Sequence, residues 1–173
     1  MFMDNIELTG SWLKLAIEEW KLIEQIDIST NRGSAVYHAQ QFVEKLCKAI
    51  IAALGFEPPK THAPSWVIDS IISDHKLGII NLNLSKQDIY RLEQISSLAK
   101  TLEDERTRPR YGVRHGNIIV SPNEYYSTDT VKLLLQDAVN ISELVYEFLV
   151  SLGYCRHFLY LCGELDVIRK KRF

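Results

Sequence analysis

Between positions 106 and 115 the chain carries Arg106, Arg108, Arg110, Arg114 and His115, with Tyr111 among them. Guanidinium groups hold phosphates bidentately, and an aromatic ring beside them can stack on a base. The cluster is therefore a candidate contact for a nucleotide or RNA. Arg110 and His115 could also do chemistry. An imidazole exchanges a proton near neutral pH, and an arginine can hold a phosphate while charge builds on it. The plainer alternative is a solvated basic turn that pairs with acids of the first segment, Glu7, Glu18, Glu19 and Glu24.

A second polar group lies at His38, Gln41, Glu44, Lys45 and Lys48. Gln41 and Lys45, like Glu44 and Lys48, are four residues apart and can pair along a helix. This pattern suits an exposed face with ordinary ion pairs. It also suits a polar wall beside the arginine turn, with His38, Gln41 and Lys45 reaching a ligand. His62 falls where the chain turns between helices and is read as a structural hydrogen-bonding group. The three cysteines are Cys47, Cys155 and Cys162. The last two flank His157 without the close paired spacing of a zinc site, so neither metal nor cofactor is expected. The cysteines read as buried or idle thiols, which fits a reducing, cytoplasmic setting.

These residues need a scaffold, and the apolar pattern supplies one. Trp12, Ala16, Trp20, Ile23 and Ile26 recur at helical spacing, as do Val36, Val43, Leu46, Ile50 and Leu54. Gly55 and the loop Gly-Phe-Glu-Pro-Pro-Lys stop the second helix. Pro64 opens a short third helix through Trp66, Ile68, Ile71 and Ile72. Ser85 and Asp88 resemble a capping box for a fourth helix, which Pro109 closes. Residues 110–126 hold Gly112, Gly116 and Pro122 and read as a turn-rich connection. Ser127 then caps a long helix ending at Gly153, and Tyr154, Phe158, Leu161, Leu165 and Ile168 continue at helical spacing. The expectation is an all-α fold, an antiparallel up-and-down bundle of four to five helices with a C-terminal helical tail. It divides into a bundle over residues 1–152 and an extension over residues 153–173.

Composition agrees with this picture. The 173 residues are 46% hydrophobic and 24% charged, enough apolar surface for a core and too much for a disordered chain. Twenty Lys+Arg against 22 Asp+Glu give a net charge of −2, so a uniformly basic nucleic-acid-wrapping surface is excluded. No apolar run approaches the ~20 residues of a membrane span, and the N-terminus has no signal-peptide pattern.

The second helix carries a more specific signal. Residues 35–62, with Ala39, Gln40, Gln41, Glu44, Lys45 and Lys48 followed by Gly55, Pro58-Pro59 and Thr61-His62, resemble the HEPN (higher eukaryote and prokaryote nucleotide-binding) domain family. Arg110-Tyr111-Gly112 is similar to the turn before that family's last core helix, and Tyr125 or Tyr126 fits a tyrosine near its start. The resemblance spans roughly residues 8–150. It implies a nucleotide- or RNA-associated binding protein, a homodimer, and a small nucleotidyltransferase partner in a toxin–antitoxin-like pair. An arginine and a histidine four to six residues apart mark the family's nucleases. Arg110 and His115 supply that pair and imply, as an alternative, metal-independent endoribonuclease action through the RNA 2′-hydroxyl. A third expectation is a structural interaction module whose basic turn binds an acidic partner.

Overall fold

The computed structural model describes residues 2–173, with side chains from Asn5 onward. Four long helices form the frame: α1 (Phe2–Ile23), α2 (Arg32–Ala53), α4 (Lys86–Glu103) and α7 (Thr128–Ser151), with the shorter α3 (Ser65–Lys76) beside α4. The fold is all-α, an up-and-down bundle with a helical tail. Its core follows the apolar stripes: Leu13, Ala16, Ile17 and Trp20 of α1 meet Phe42, Leu46 and Ile50 of α2, and Trp20 and Phe42 lie 5.0 Å apart between ring centroids. Full burial of each large apolar side chain contributes about 1.5–3 kcal/mol. Among the described residues, no helix is long and apolar enough to cross a membrane.

Local signals set the helix ends. Ser85 Oγ accepts from the Asp88 backbone N–H (3.1 Å), and Asp88 Oδ2 accepts from the Ser85 N–H (3.2 Å), completing the capping box of α4. Ser127 Oγ accepts from the Thr130 N–H (3.0 Å) at the start of α7. Helix α2 is central: it packs on α1 on one side and on α4 and α7 on the other.

Residues 108–125 are more ordered than a turn-rich connection. They form a one-turn helix α5 (Arg108–Tyr111), an antiparallel hairpin of β1 (Val113–His115) and β2 (Ile118–Val120), and a one-turn helix α6 (Pro122–Tyr125). The β-branched residues Val113, Ile118, Ile119 and Val120 suit a strand pair, and Gly116-Asn117 closes it between His115 and Ile118. Three-residue strands are too short for their alternation to stand out from a loop. This small unit is pinned to the start of α2. Arg32 Nε donates to the Asn123 carbonyl (3.0 Å), and Asn123 Oδ1 accepts from the Gly33 N–H (3.0 Å). Gly33 admits Pro122 so closely that a Cβ there would stand 2.3 Å from the proline Cβ.

The chain beyond Gly153 folds back on the bundle through a 3-10 turn (Tyr154–Arg156) and α8 (Leu159–Ile168). Tyr154 Oη donates to the Ala53 carbonyl (2.9 Å), Phe158 packs on Gly10, and Cys162, Leu165 and Ile168 are buried. Here the reading of idle thiols needs correction. Cys155 and Cys162 are joined in a disulfide, because the 3-10 turn returns the chain and brings their Cα atoms to 5.7 Å. Cys47 is the free thiol among the described residues, buried in α2, and burial pushes its pKa well above the ordinary value.

Gly112 joins α5 to β1 at φ 72°, ψ −161°, a region essentially restricted to glycine, and a Cβ there would meet the Val120 carbonyl oxygen at 2.0 Å. We expect Gly112→Ala to destabilise the protein by at least about 1–3 kcal/mol in urea unfolding. A change below half a kilocalorie would refute the tight packing of this joint.

Candidate functional site

The site begins with α2, a helix in which Ser34 alone is exposed. Because α2 is enclosed, its polar residues point into the protein and must find partners there. Gln40 is buried, and its Nε2 donates to the carbonyls of Leu102 (3.0 Å) and Arg106 (3.1 Å). It thereby satisfies the end of α4 and fixes the turn that follows, where Arg106 takes a φ of 49°.

That turn places the arginines differently from one another. Arg108 is a strut: Nε donates to the Glu105 carbonyl (3.2 Å), Nη1 to Tyr125 Oη (3.1 Å), and Nη2 to the Asp104 carbonyl. Tyr126 supports the same corner by donating to Glu105 Oε2 (2.6 Å), and burial followed by that bond raises the phenol above its ordinary pKa. Arg110 is exposed, with its guanidinium carbon 5.0 Å from the Tyr37 ring centroid and 5.6 Å from that of Tyr111. A guanidinium beside aromatic rings can keep N–H groups available to an anion.

A cleft of about 380 Å³ opens here, within the roughly 300–1,000 Å³ usual for small-molecule sites. Gln41, Thr61, His62, Glu103, Arg106 and Arg110 are among its lining residues. Burial is the largest influence on Glu103 and raises its carboxyl, although Ser65 N–H donates to it (3.0 Å). Of the residues singled out from sequence, the structure brings Gln41, Arg106 and Arg110 to this cleft, with Tyr111 stacked on Arg110 beside it. Arg114 and His115 sit exposed on β1, apart from the lining residues, and Arg114 Nε donates to the Gly116 carbonyl (2.9 Å).

His38 and Lys45 face the first helix. His38 Nδ1 lies 2.7 Å from Glu19 Oε2, and Lys45 pairs with the other oxygen of the same carboxylate. Burial alone would raise the Glu19 carboxyl, but the hydrogen bonds from Lys45 and His38 outweigh it and hold it below the ordinary glutamate value. Glu44 and Lys48 are not an exposed surface pair. Their side chains are 7% and 8% exposed, and Lys48 Nζ donates to Glu44 Oε1 at 2.7 Å while lying over the Trp12 ring.

The other Glu44 oxygen reaches His62, the residue expected from its place between helices to be a structural hydrogen-bonding group. Glu44 Oε2 lies 3.0 Å from Nδ1 of His62, whose side chain is 79% exposed. The two residues are 18 apart across the Pro58-Pro59 loop, so no local spacing rule joins them. Among the described residues, no group of three or more His, Cys, Asp or Glu side chains is placed to hold a metal ion.

The fold and site define a helical-bundle protein whose central helix borders a cleft lined by Arg106 and Arg110 together with Glu103 and Asp104. The HEPN domain family profile matches residues 10–151, and the chain belongs to that family. It is also similar to a protein of Methanocaldococcus jannaschii named "Putative toxin MJ1304", with 26% identity over 147 residues, covering 84% of this chain and 90% of that protein. No solved structure gives a significant match.

The Glu19 cluster has a pH signature. A carboxyl with a lowered folded-state pKa adds stability that is present above its unfolded value and is lost as pH falls through the folded one. Glu19→Gln should therefore cost about 1–3 kcal/mol at pH 7. The gap from wild type should shrink as pH drops below 4.5, the ordinary glutamate value, in urea unfolding series. An equal gap at pH 7 and pH 3 would refute it.

Proposed function

We propose that this HEPN protein is nucleotide- or RNA-associated with a toxin-like role, and that it takes a phosphate-bearing ligand in the cleft beside Arg106 and Arg110. The observation that carries the reading is Arg110, exposed and stacked against Tyr37 and Tyr111 at a cleft of nucleotide-compatible size. Gln41 also lines the cleft, and Tyr111 offers a ring face to a base. Arg114 extends the basic surface along the hairpin, whereas Arg108, His38 and Lys45 support it through their internal pairings. The name of the M. jannaschii relative agrees with a toxin-like role. A homodimer, a small nucleotidyltransferase-type partner and a cytoplasmic location complete the proposal; with Cys155 and Cys162 joined in a disulfide, the cysteines lend the location no support.

Binding of a fluorescently labelled single-stranded RNA, read by anisotropy, tests it. Arg106→Ala with Arg110→Ala should weaken affinity about tenfold or more. It should also reduce the salt slope by about 0.7 for each phosphate that the variant no longer neutralises. No binding by the wild-type chain at low salt would overturn the reading.

A second reading is metal-independent endoribonuclease action through Arg110 and His115. The exposure of both side chains, on the adjoining α5 and β1, favours it. It predicts RNA cleavage in EDTA that His115→Ala abolishes while circular dichroism stays unchanged. Undiminished cleavage by that variant would reject the assignment.

A further inference from the structure

The cleft beside Arg106 and Arg110 carries both signs of charge, because Glu103 and Asp104 also line it. The two acids differ. Glu103 is committed to α3: its Oε1 accepts from the Ser65 N–H at 3.0 Å and its Oε2 from the Ser65 hydroxyl. Asp104 is exposed, and among the described residues its carboxylate has neither a hydrogen-bond donor nor an ionic partner. Arg106 and Arg110 are exposed as well and, among the same residues, lack an acidic partner. The ion pair of this turn joins Arg108 to Glu105 at 3.4 Å instead. The backbone that carries Asp104 is fixed from both sides. Gln40 ties the carbonyls of Leu102 (3.0 Å) and Arg106 (3.1 Å), and the Asp104 carbonyl accepts from Arg108 Nη2.

A ligand that satisfies this lining must bring an anionic group for the arginines and N–H donors for the carboxylate, which only accepts. Phosphate supplies the first and is repelled by the second. Among the RNA bases, guanine alone presents two adjacent donors on one edge, N1–H and the N2 amino group, matching the two oxygens of a carboxylate. Adenine and cytosine each set an amino group beside a ring-nitrogen acceptor, and uracil sets its N–H between two carbonyls. We propose that the cleft selects guanine in single-stranded RNA, with Asp104 accepting from N1–H and the N2 amino group while Arg106 and Arg110 hold a neighbouring phosphate. The inference rests on the RNA-binding reading above and names the base that this site takes. Tyr111, beside Arg110, gives a ring face for stacking that every base can use, so Asp104 carries the discrimination.

The test reads the anisotropy of a short labelled oligouridine carrying a single central guanosine, adenosine or inosine, mixed with the full chain. Wild type should bind the guanosine RNA about tenfold more tightly than the adenosine RNA, the scale of a good bidentate contact to a base. Inosine keeps N1–H and lacks the N2 amino group, so its RNA should fall between the two. In Asp104→Asn the preference for guanosine should drop below about twofold. Asp104 is exposed, so this variant should fold, which circular dichroism checks. Glu18→Gln removes the same charge from an exposed position of α1 and should keep the preference. Arg106→Ala with Arg110→Ala should weaken all three RNAs by a similar factor, because phosphate contacts carry no base information. Equal binding of the guanosine and adenosine RNAs by wild type would overturn the assignment, and so would a preference that survives in Asp104→Asn. A wild-type chain that binds none of these RNAs overturns the RNA-binding reading, and the guanine assignment falls with it.

Discussion

The enclosure of α2 is the constraint from which the rest of the structure follows. Sixteen of its twenty-two residues are buried, so a helix that carries Gln40, Glu44 and Lys48 must satisfy each of them inside the protein. Gln40 does so by closing the end of α4, and Glu44 by joining Lys48 to His62. Among the described residues, no buried side-chain polar atom lacks a partner. Burying a helix with polar residues is costly when partners are missing. Here the same bonds that meet that cost also determine where the cleft stands and which groups surround it.

The basic turn is a small folded unit carried on that frame. Arg32 and Gly33 hold Asn123 and Pro122 against the first turn of α2, while Gly112 lets β1 leave α5 beside Val120. Arg108 and Tyr126 brace the corner through Glu105. The overall charge of −2 hides this arrangement, because acids along α1 offset arginines gathered near residues 106–114. One of those acids, Glu19, is held by His38 and Lys45, and the cleft sets Arg106 and Arg110 beside Glu103 and Asp104.

The helical frame was legible because its signals are local and repeated. The stripes of α1 and α2, the Ser85–Asp88 box, the Ser127 cap and the stops at Gly55 and Gly153 all act within a few residues. The arginine cluster was equally visible, and the fold divides its members: Arg110 turns to the cleft, and Arg108 into the corner. Less could be read where partners meet across the chain. His62 finds Glu44 through a loop reversal, and Glu44 and Lys48 look like a surface pair until α1 and its Trp12 cover them. Cys155 and Cys162 stand seven residues apart, a separation that becomes bondable only after a 3-10 turn reverses the chain.

Gln40 spans 62 and 66 residues of sequence in its two bonds to the end of α4. Such closure is slow relative to helix formation, since the intervening chain must be ordered before the contact can form. During synthesis, α1 and α2 can pair soon after they emerge, but the arginine turn has no fixed geometry until the segment through residue 126 is made and docked. A chain truncated within α4 would lack the cleft and also α7, which covers one side of α2. The cleft therefore takes shape only after the α1–α2 pair, since Glu103, Arg106 and Arg110 are made later than Gln41 and His62.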